Sequence, residues 1–374
     1  MSDPALTPVG PAGFRRLRLI EARRESEAIT SFLLEPGEPD GWTPFRPGQF
    51  LAVRVPDAAS PGGWALRNYS ISGPSDGRTY RISVKREPCE ERPDGTGLGS
   101  GHFHHRLQPG DVVWASAPRG EFVFDETSER AVLLLSGGVG ITPLLAMLHR
   151  LAERPGRPVH FVHACEDGRS HALGDEVDAL AAKRPGIRTA FVYRNPTAED
   201  EVRARHATSG LVTRAVLQSL LPLDDYDVYL CGPPPFMRAL HETLLGLGIR
   251  PERIAYEFFG PASLLGSPSP PPPAAPEPVA LTMTEPEPAS GPVVAFARSG
   301  SAALFTPSAG SLLELAEAAG LSPAFSCRSG VCMTCSATLL SGEVDYTEEP
   351  LDEPAPGQVL LCCTRPRGDV TLDI

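Results

Sequence analysis

The chain has 374 residues, 41% of them hydrophobic and 21% charged, with a formal net charge of −12. Those figures describe a globular protein of two or three domains with full-sized cores, and the negative balance argues against nucleic acid as a partner. Eight cysteines, in a chain too long to need disulfide staples, suit a reducing cytoplasm, and Met1-Ser2-Asp3-Pro4-Ala5 opens no basic, apolar leader.

Residues 15–22, 29–34, 50–55, 66–71, 80–85 and 111–116 have the composition of short strands. Turn residues stand between them: Pro36-Gly37, Pro47-Gly48, Pro61-Gly62-Gly63, Asp76-Gly77 and Pro109-Gly110. Many short strands punctuated in this way predict an antiparallel barrel.

The pattern changes after Glu129. Residues 131–136 form a continuous apolar run, followed by Gly137-Gly138-Val139-Gly140-Ile141-Thr142-Pro143 and a helical pattern over 144–151. Strands are expected at 159–165, 187–193, 227–231 and 253–258, and helices at 172–182, 211–220 and 236–247. Strand–helix alternation predicts a parallel sheet wrapped by helices, with ligands along the edge where the strands end. The glycine loop allows a close backbone approach to a pyrophosphate, and Pro143 suits the first turn of a helix that offers N–H groups and positive dipole. It is not the G-x-G-x-x-G fingerprint, and a plain strand-to-helix turn accounts for the loop taken alone. Glycines and Pro143 also break residues 131–148, the longest apolar stretch, so no membrane span is expected.

Residues 264–290 carry the run Pro270-Pro271-Pro272-Pro273, followed by Pro276, Pro278, Pro286 and Pro288. Such a segment cannot bury a core and reads as an extended tether. Beyond it, Cys327, Cys332 and Cys335 are spaced C-x4-C-x2-C, and Leu360-Leu361-Cys362-Cys363 supplies a further candidate. Zinc sites more often pair two C-x2–4-C units, and disulfides have little purpose here. The spacing resembles that of plant-type ferredoxins, in which four thiolates hold a 2Fe-2S cluster. The resemblance covers residues 292–374 and assigns Cys327, Cys332, Cys335 and Cys362 as the metal ligands, leaving Cys363 out. Gly330, Ser326 and Ser329 suit a loop whose backbone must approach the cluster, whereas Met333 stands where many relatives carry Gly or Ser.

A second resemblance spans residues 14–261. Arg67-Asn68-Tyr69-Ser70 looks like the R-x-Y-S flavin motif of the ferredoxin–NADP reductase superfamily, and Gly97-Leu98-Gly99-Ser100 resembles its second phosphate-contacting turn. Residues 137–143 resemble its pyridine-nucleotide loop, and Cys231-Gly232-Pro233 its nicotinamide-side loop. Tyr256-Glu257-Phe258-Phe259-Gly260-Pro261 resembles the segment closing over the flavin in the reductase part of flavohaemoglobins. Five motifs in order are far more specific than any one of them.

The resemblance implies a flavin-binding barrel at 12–127, a nicotinamide-binding α/β domain at 128–263, the tether at 264–290 and an α+β, β-grasp ferredoxin domain at 291–374. It implies catalytic roles for Ser70, Cys231 and Glu257. Cofactor contacts fall to Arg67, Tyr69, Ser70, Lys85, Gly99, Ser100, Gly137, Gly138, Gly140, Thr142, Cys231, Gly232, Pro233 and Phe258. Arg67 offers a planar fork of donors for a flavin phosphate, and Tyr69 an aromatic face for the isoalloxazine. The flavin is expected to be FAD in preference to FMN. Glu166 and Asp167, after the second parallel strand, favour NADH by repelling a 2′-phosphate, while Arg169 and Arg194 pull toward NADPH. His102, His104 and His105 lack partners at metal spacing and read as the polar start of a helix near the flavin phosphate.

The implied activity is hydride transfer from NAD(P)H to FAD, then single electrons to the 2Fe-2S cluster and on to a redox acceptor protein, an oxygenase or other metalloenzyme. The rival readings are reduction of a small molecule at the flavin, and a redox-sensing protein without turnover.

Overall fold

A computed structural model describes residues 13–38, 42–59, 63–90, 95–259, 291–306, 309–325 and 327–374. The expected tether at 264–290, the Pro61-Gly62 turn, Gly260-Pro261 and Ser326 lie outside the described residues. The chain divides into two compact units, Met1–Phe259 and Gly260–Ile374.

The first unit opens with strands β1 (Phe14–Arg24), β2 (Ile29–Pro36), β3 (Phe50–Pro56), β4 (Trp64–Ser70) and β5 (Tyr80–Lys85). Helix α1 (Leu98–His105) and strand β6 (Val112–Ser116) follow. The strands lie in the order β4-β3-β6-β1-β2-β5, every pairing antiparallel, and an Ile71–Ile82 bridge joins the two edges. Alternation turns Leu17, Leu19, Phe32, Leu34, Leu51, Val53 and Ile82 into one core. Phe103 of α1 plugs that core edge-on to Phe32, with ring centroids 5.1 Å apart. The three histidines expected at a helix start instead occupy the last turn of α1, where His104 bonds the Val84 carbonyl at 2.9 Å. The helix begins earlier, at Leu98, because the small residues after Gly97 let it sit flush on β4.

The second half of the unit contains β7 (Ala131–Gly137), α2 (Ile141–Ala152), β8 (Val159–Cys165), α3 (Gly174–Lys183), β9 (Ile187–Tyr193) and α4 (Ala198–Arg203). It continues through β10 (Thr208–Ser209), α5 (Arg214–Leu220), β11 (Tyr226–Cys231), α6 (Pro234–Gly246) and β12 (Ile254–Glu257). The sheet is parallel, in the order β10-β9-β8-β7-β11-β12. Its centre, β7, is buried at every position, which is why its sequence is apolar without alternation. The chain leaves β7 toward β8 on one side and returns to β11 on the other, so a ligand crevice opens at the carboxyl ends of β7 and β11. Two helices differ from the sequence reading. Helix α5 starts at Arg214, not Leu211, because Thr213 caps it by accepting from the Val216 N–H. Short α4 is held by a reciprocal capping box between Thr197 and Asp200.

Barrel and parallel sheet are clamped by buried charge. Arg81 of β5 forms a two-pronged pair with Glu176 of α3 at 2.7 and 2.9 Å, and His149 of α2 meets the same carboxylate at 2.6 Å. Arg81 also donates to the Ser72 carbonyl at 2.6 Å, and the Ser72 and Ser83 hydroxyls are 2.8 Å apart. Burial alone would raise the Glu176 carboxyl, but the bonds from His149 and Arg81 outweigh it and hold its pKa at about 2.

The second unit comprises β13 (Val293–Phe296), β14 (Ser301–Leu304), α7 (Leu312–Ala318), β15 (Ser336–Ser341), β16 (Val344–Tyr346), β17 (Gln358–Leu360), β18 (Thr364–Pro366) and β19 (Val370–Leu372). A mixed sheet, β14-β13-β19-β15-β17, clasps α7 over a core of Val294, Phe296, Leu312, Leu313, Ala316, Leu360 and Leu372. Strands β16 and β18 form a separate ribbon. Among the described residues of either unit, no helix is long and apolar enough to cross a membrane.

Candidate functional site

A cavity of about 360 Å³ opens in the first unit where the barrel meets the parallel sheet. Strand β4 lines it with Arg67 to Ser70, β5 with Ser83, Val84 and Lys85, and the start of α1 with Gly97 to Ser100. Val139 and Thr142 enter from the β7–α2 turn, and Phe259 from beyond β12. Gly99 is required here: a Cβ on it would lie 2.4 Å from the Tyr69 hydroxyl and 3.0 Å from Arg67 Cγ. The Tyr69 ring packs edge-on to Phe103, centroids 4.9 Å apart, and burial pushes its phenol up, so it stays neutral. Ser100 accepts from the Glu87 N–H at 3.1 Å, so its hydroxyl ties α1 to the end of β5. Lys85 is half-buried and paired with Glu87 at 2.8 Å.

Three expected residues converge at the seam. The Ser70 hydroxyl donates to Glu257 at 3.3 Å, and Glu257 stands opposite Cys231 in the parallel register of β12 and β11. Cys231 is fully buried, and burial followed by the nearby Glu257 charge raises its thiol far above the ordinary range. A thiol raised in this way is held neutral. Phe258, which follows Glu257 in the chain, is buried and lies edge-on to Tyr256.

The glycine loop has a division of labour that spacing did not reveal. A Cβ on Gly140 would lie 2.2 Å from the Cys231 carbonyl oxygen, and one on Gly232 would lie 2.7 Å from the Phe236 ring. These glycines, with Gly137 under Phe236 and Pro233, let the β7 and β11 turns touch each other. Gly138 differs: its φ is +53° and a Cβ there would meet open space, so its freedom is conformational. Thr142 donates to the Val139 carbonyl at 3.0 Å. Helices α1, α2 and α6 begin at Gly97, Gly140 and Pro233 with no capping side chain and no acid in the first turn. Helices α4, α5 and α7 are capped by Thr197, Thr213 and Ser311. The uncapped N–H groups of α1 border the cavity, where a phosphate would satisfy them, whereas in α2 the Ile141 N–H bonds back to the Gly138 and Val139 carbonyls and Pro143 has none.

At the end of β8, Asp167 is turned inward: it pairs with Arg169 at 2.9 Å and accepts the Ser170 N–H at 2.9 Å. Glu166 is exposed and bonded by Asn195. Of the two acids read from the sequence, Glu166 is therefore the one that faces solvent. Sequence reasoning missed Asn68, Ser83, Val139 and Phe259 as lining residues. Asn68 carries a buried carbonyl oxygen without a partner among the described residues. Strand alternation hides it, since both faces of β4 border the cavity.

In the second unit, the loop after α7 wraps backbone N–H groups around sulfur. Ser329, Val331 and Cys332 donate to Cys327 Sγ at 3.5, 3.4 and 3.3 Å. Cys327 donates to Cys332 Sγ at 3.4 Å, and Gly330 to Cys362 Sγ at 3.4 Å. Arg328, Gly330 and Met333 have φ of +51°, +66° and +59°, which turns successive N–H groups inward. Met333 thus holds a left-handed position that glycine would occupy without strain. Arg328 pairs with Glu317 of α7 and lies 4.0 Å over the Phe325 ring, anchoring the loop.

The side-chain bonds from Cys332, then Cys362, pull the Cys327 thiol down, and the same bonds push those two partners up. Cys363 is buried in the core, its thiol directed at the Leu360 carbonyl, 3.8 Å away. Among the described residues no three His, Cys, Asp or Glu converge as on a single ion. A two-iron cluster instead spreads its four thiolates over two metals, and a ring of N–H donors on those sulfurs is the chemistry it needs. The residues fit the group.

The oxidoreductase NAD-binding domain model matches residues 134–242, and the 2Fe-2S iron-sulfur cluster binding domain model matches residues 298–367. Flavohemoproteins of Chromobacterium violaceum and Bacillus subtilis are both 39% identical, over 254 and 246 residues. These cover 67% and 65% of this chain but only 62% and 58% of those proteins. The chain thus spans about six-tenths of their length. Phthalate dioxygenase reductase, described as a modular structure for electron transfer from pyridine nucleotides to [2Fe-2S], superposes with a TM-score of 0.55 at 25% identity. It covers 97% of this chain and 98% of its own. The flavohem-like FAD/NAD-binding domain of nitric oxide dioxygenase from Vibrio cholerae O1 biovar El Tor is 38% identical with a TM-score of 0.58. The match takes in 66% of this chain and 99% of that domain. The chain belongs to the ferredoxin–NADP reductase family of oxidoreductases, as a flavohaemoglobin-type FAD/NAD-binding body joined to a C-terminal 2Fe-2S ferredoxin domain.

Proposed function

We propose that this protein is an NAD(P)H-dependent reductase that delivers electrons, by way of FAD and a 2Fe-2S cluster, to an oxygenase or another metalloenzyme. One observation carries the reading: Ser70 of the barrel, which lines the cavity, shares a hydrogen bond with Glu257 of the parallel sheet, in a chain that also holds a sulfur loop ringed with N–H donors. FAD would supply the conversion of a two-electron hydride into single electrons, and the cluster would carry those electrons one at a time.

The chain's own residues bind, orient and shield. Arg67 and the open N-terminus of α1 favour negative charge, and Tyr69 offers a neutral aromatic face. Ser70 and Glu257 hold a proton between a hydroxyl and a carboxylate. Cys231, neutral and small, leaves room for a ring beside Glu257. Gly137, Gly138, Gly140 and Thr142, with Gly232 and Pro233, shape the floor on the nucleotide side, and Phe258 packs behind it. We place the domain limits at 12–127, 128–263, 264–290 and 291–374, and the protein in the cytoplasm.

For the donor we propose NADH, read by exposed Glu166; kcat/KM favouring NADPH would refute this. For the acceptor we propose a protein with a basic face. Residues 291–374 hold 10 acids and 4 arginines, 4 minus 10 giving −6 of the chain's −12. Arg367 pairs with Glu343 and Asp345. Among the described residues no ion pair reaches Glu348, Glu349, Asp352 or Glu353, and the Leu351 N–H of that loop bonds the Gly330 carbonyl at 3.0 Å, pinning the acids to the cluster loop. Absorbance of the purified protein before and after anaerobic NADH tests the scheme, with mass spectrometry of the released flavin. FMN alone, or bleaching of neither chromophore, would sink it.

A further inference from the structure

Between Cys327 and Cys332 the loop reads Arg328-Ser329-Gly330-Val331, and Ser329 has its only hydroxyl. Ser329 is 8% exposed, and its oxygen is shielded from solvent without a hydrogen-bond partner among the described residues. A buried hydroxyl left this way is costly, and each such group calls for an explanation. Its surroundings limit what the explanation can be. The left-handed residues Arg328 and Gly330 flank it, so its N–H is aimed at Cys327 Sγ, which also accepts from Val331 and Cys332. The Gly330 N–H next to it is aimed at Cys362 Sγ. The N–H groups of Ser329, Gly330, Val331 and Cys332 around this hydroxyl are all directed at ligand sulfur, and a 2Fe-2S cluster held by those thiolates would bring its inorganic sulfide into the same space.

We propose that Ser329 sets the reduction potential of the 2Fe-2S cluster by donating its hydroxyl hydrogen to a cluster sulfur, a role that rests on the cluster reading above. A hydrogen bond to sulfur stabilises the state with more negative charge, which is the reduced one after uptake of one electron. The hydroxyl therefore makes the cluster easier to reduce, without itself gaining or losing a proton. It also favours electron transfer into the cluster over return.

The test is spectroelectrochemical titration of the full-length holoprotein, with electron paramagnetic resonance of the reduced cluster. In Ser329→Ala the ratio of oxidised to reduced cluster at a fixed potential should rise about tenfold, which for a one-electron couple is about 59 mV. The g-values should move with it. Ser329→Thr, which keeps the hydroxyl, should stay within twofold of the unaltered protein. A fully loaded Ser329→Ala protein with unchanged potential and g-values overturns the proposal.

If the alanine protein loads poorly, the isosteric pair Ser329→Thr and Ser329→Val decides. Loading in Thr but not Val supports a hydroxyl requirement. Equal loading at equal potential, or failure of both, shows that the position is about packing and overturns the proposal. Absence of a two-iron spectrum in the unaltered protein would instead sink the cluster reading, so the two failures are distinguishable.

Discussion

In the first unit, side chains from five separate stretches between Arg67 and Phe259 meet at one cavity. In the second, the donors of the sulfur loop come from one short stretch, Cys327 and Ser329 to Cys332, and Cys362 returns from a distance as an acceptor. The body holds its ligand by tertiary packing, so its site is as sound as the seam between barrel and sheet. The ferredoxin domain holds its ligand by local backbone, so its site is as sound as one loop. The difference teaches where each half should break: the loop under single-atom changes, the seam under changes that alter how two layers fit.

The largest effect should come from removing one sulfur. Cys362→Ser should lose nearly all cluster iron and labile sulfide, whereas Cys363→Ser should keep both, since Cys363 points into the core. Iron analysis with the visible spectrum checks this, and a normal spectrum in Cys362→Ser would reverse the assignment.

The seam is tested next by Gly140→Ala. Its Cβ would stand 2.2 Å from the Cys231 carbonyl, so the β7 and β11 turns must part. Overpacking of this kind costs about 1–3 kcal/mol, readable as a lower urea midpoint. Flavin reduction by NADH in stopped flow should slow by about 100-fold, because small misplacements near the reacting atoms are costly. The cluster spectrum should not change, and a cluster lost along with it would erase the contrast between the units.

A smaller effect is expected at the clamp. Glu176→Gln keeps shape but removes the charge that Arg81 and His149 share, and should cost roughly 2 kcal/mol for a half-buried pair. The Glu176 pKa is depressed from 4.5 to about 2, so its contribution is complete above pH 4.5 and is lost as pH falls through about 2. Thermal melts should show the variant's deficit shrinking over that interval; a deficit independent of pH would mean that packing, not charge, is at stake. The smallest effect is electrostatic. Reversing Glu348, Glu349, Asp352 and Glu353 should slow acceptor reduction a few-fold at low salt and leave flavin reduction alone, because exposed charges are screened beyond about 8 Å at physiological ionic strength. Rates indifferent to both salt and substitution would make the loop a solvated surface only.

The same contrast explains what could be read in advance. The C-x4-C-x2-C spacing is a local geometric demand, and Cys327 and Cys332 meet it through backbone bonds to each other. Strands β1 to β9 were legible because alternation and apolar runs report burial directly. What the sequence hid depends on contacts between distant segments. Gly140 read as part of a pyridine-nucleotide loop and Gly232 as part of a nicotinamide-side loop; that both also lie where two turns touch was not legible in their spacing. Glu166 and Asp167 read alike as acids set against a 2′-phosphate, and spacing did not show that Asp167 also closes its own loop through Arg169 and Ser170. Neither the Arg81–Glu176–His149 clamp nor the Ser70–Glu257 bond has any signature in spacing, because the partners are up to 187 residues apart.

The uncapped start of α1 carries a consequence for how much of this protein a cell keeps. Helix α1 starts beside the cavity without a capping side chain and leaves its first N–H groups to be satisfied from outside the chain, while α4, α5 and α7 satisfy their own. A ligand that binds only the folded body at 100 times its dissociation constant adds about 2.7 kcal/mol of stability. Chains made faster than the cofactor is supplied would lack that margin and be the first taken by proteases. The steady amount of enzyme would then follow the supply of flavin, with no transcriptional sensor required.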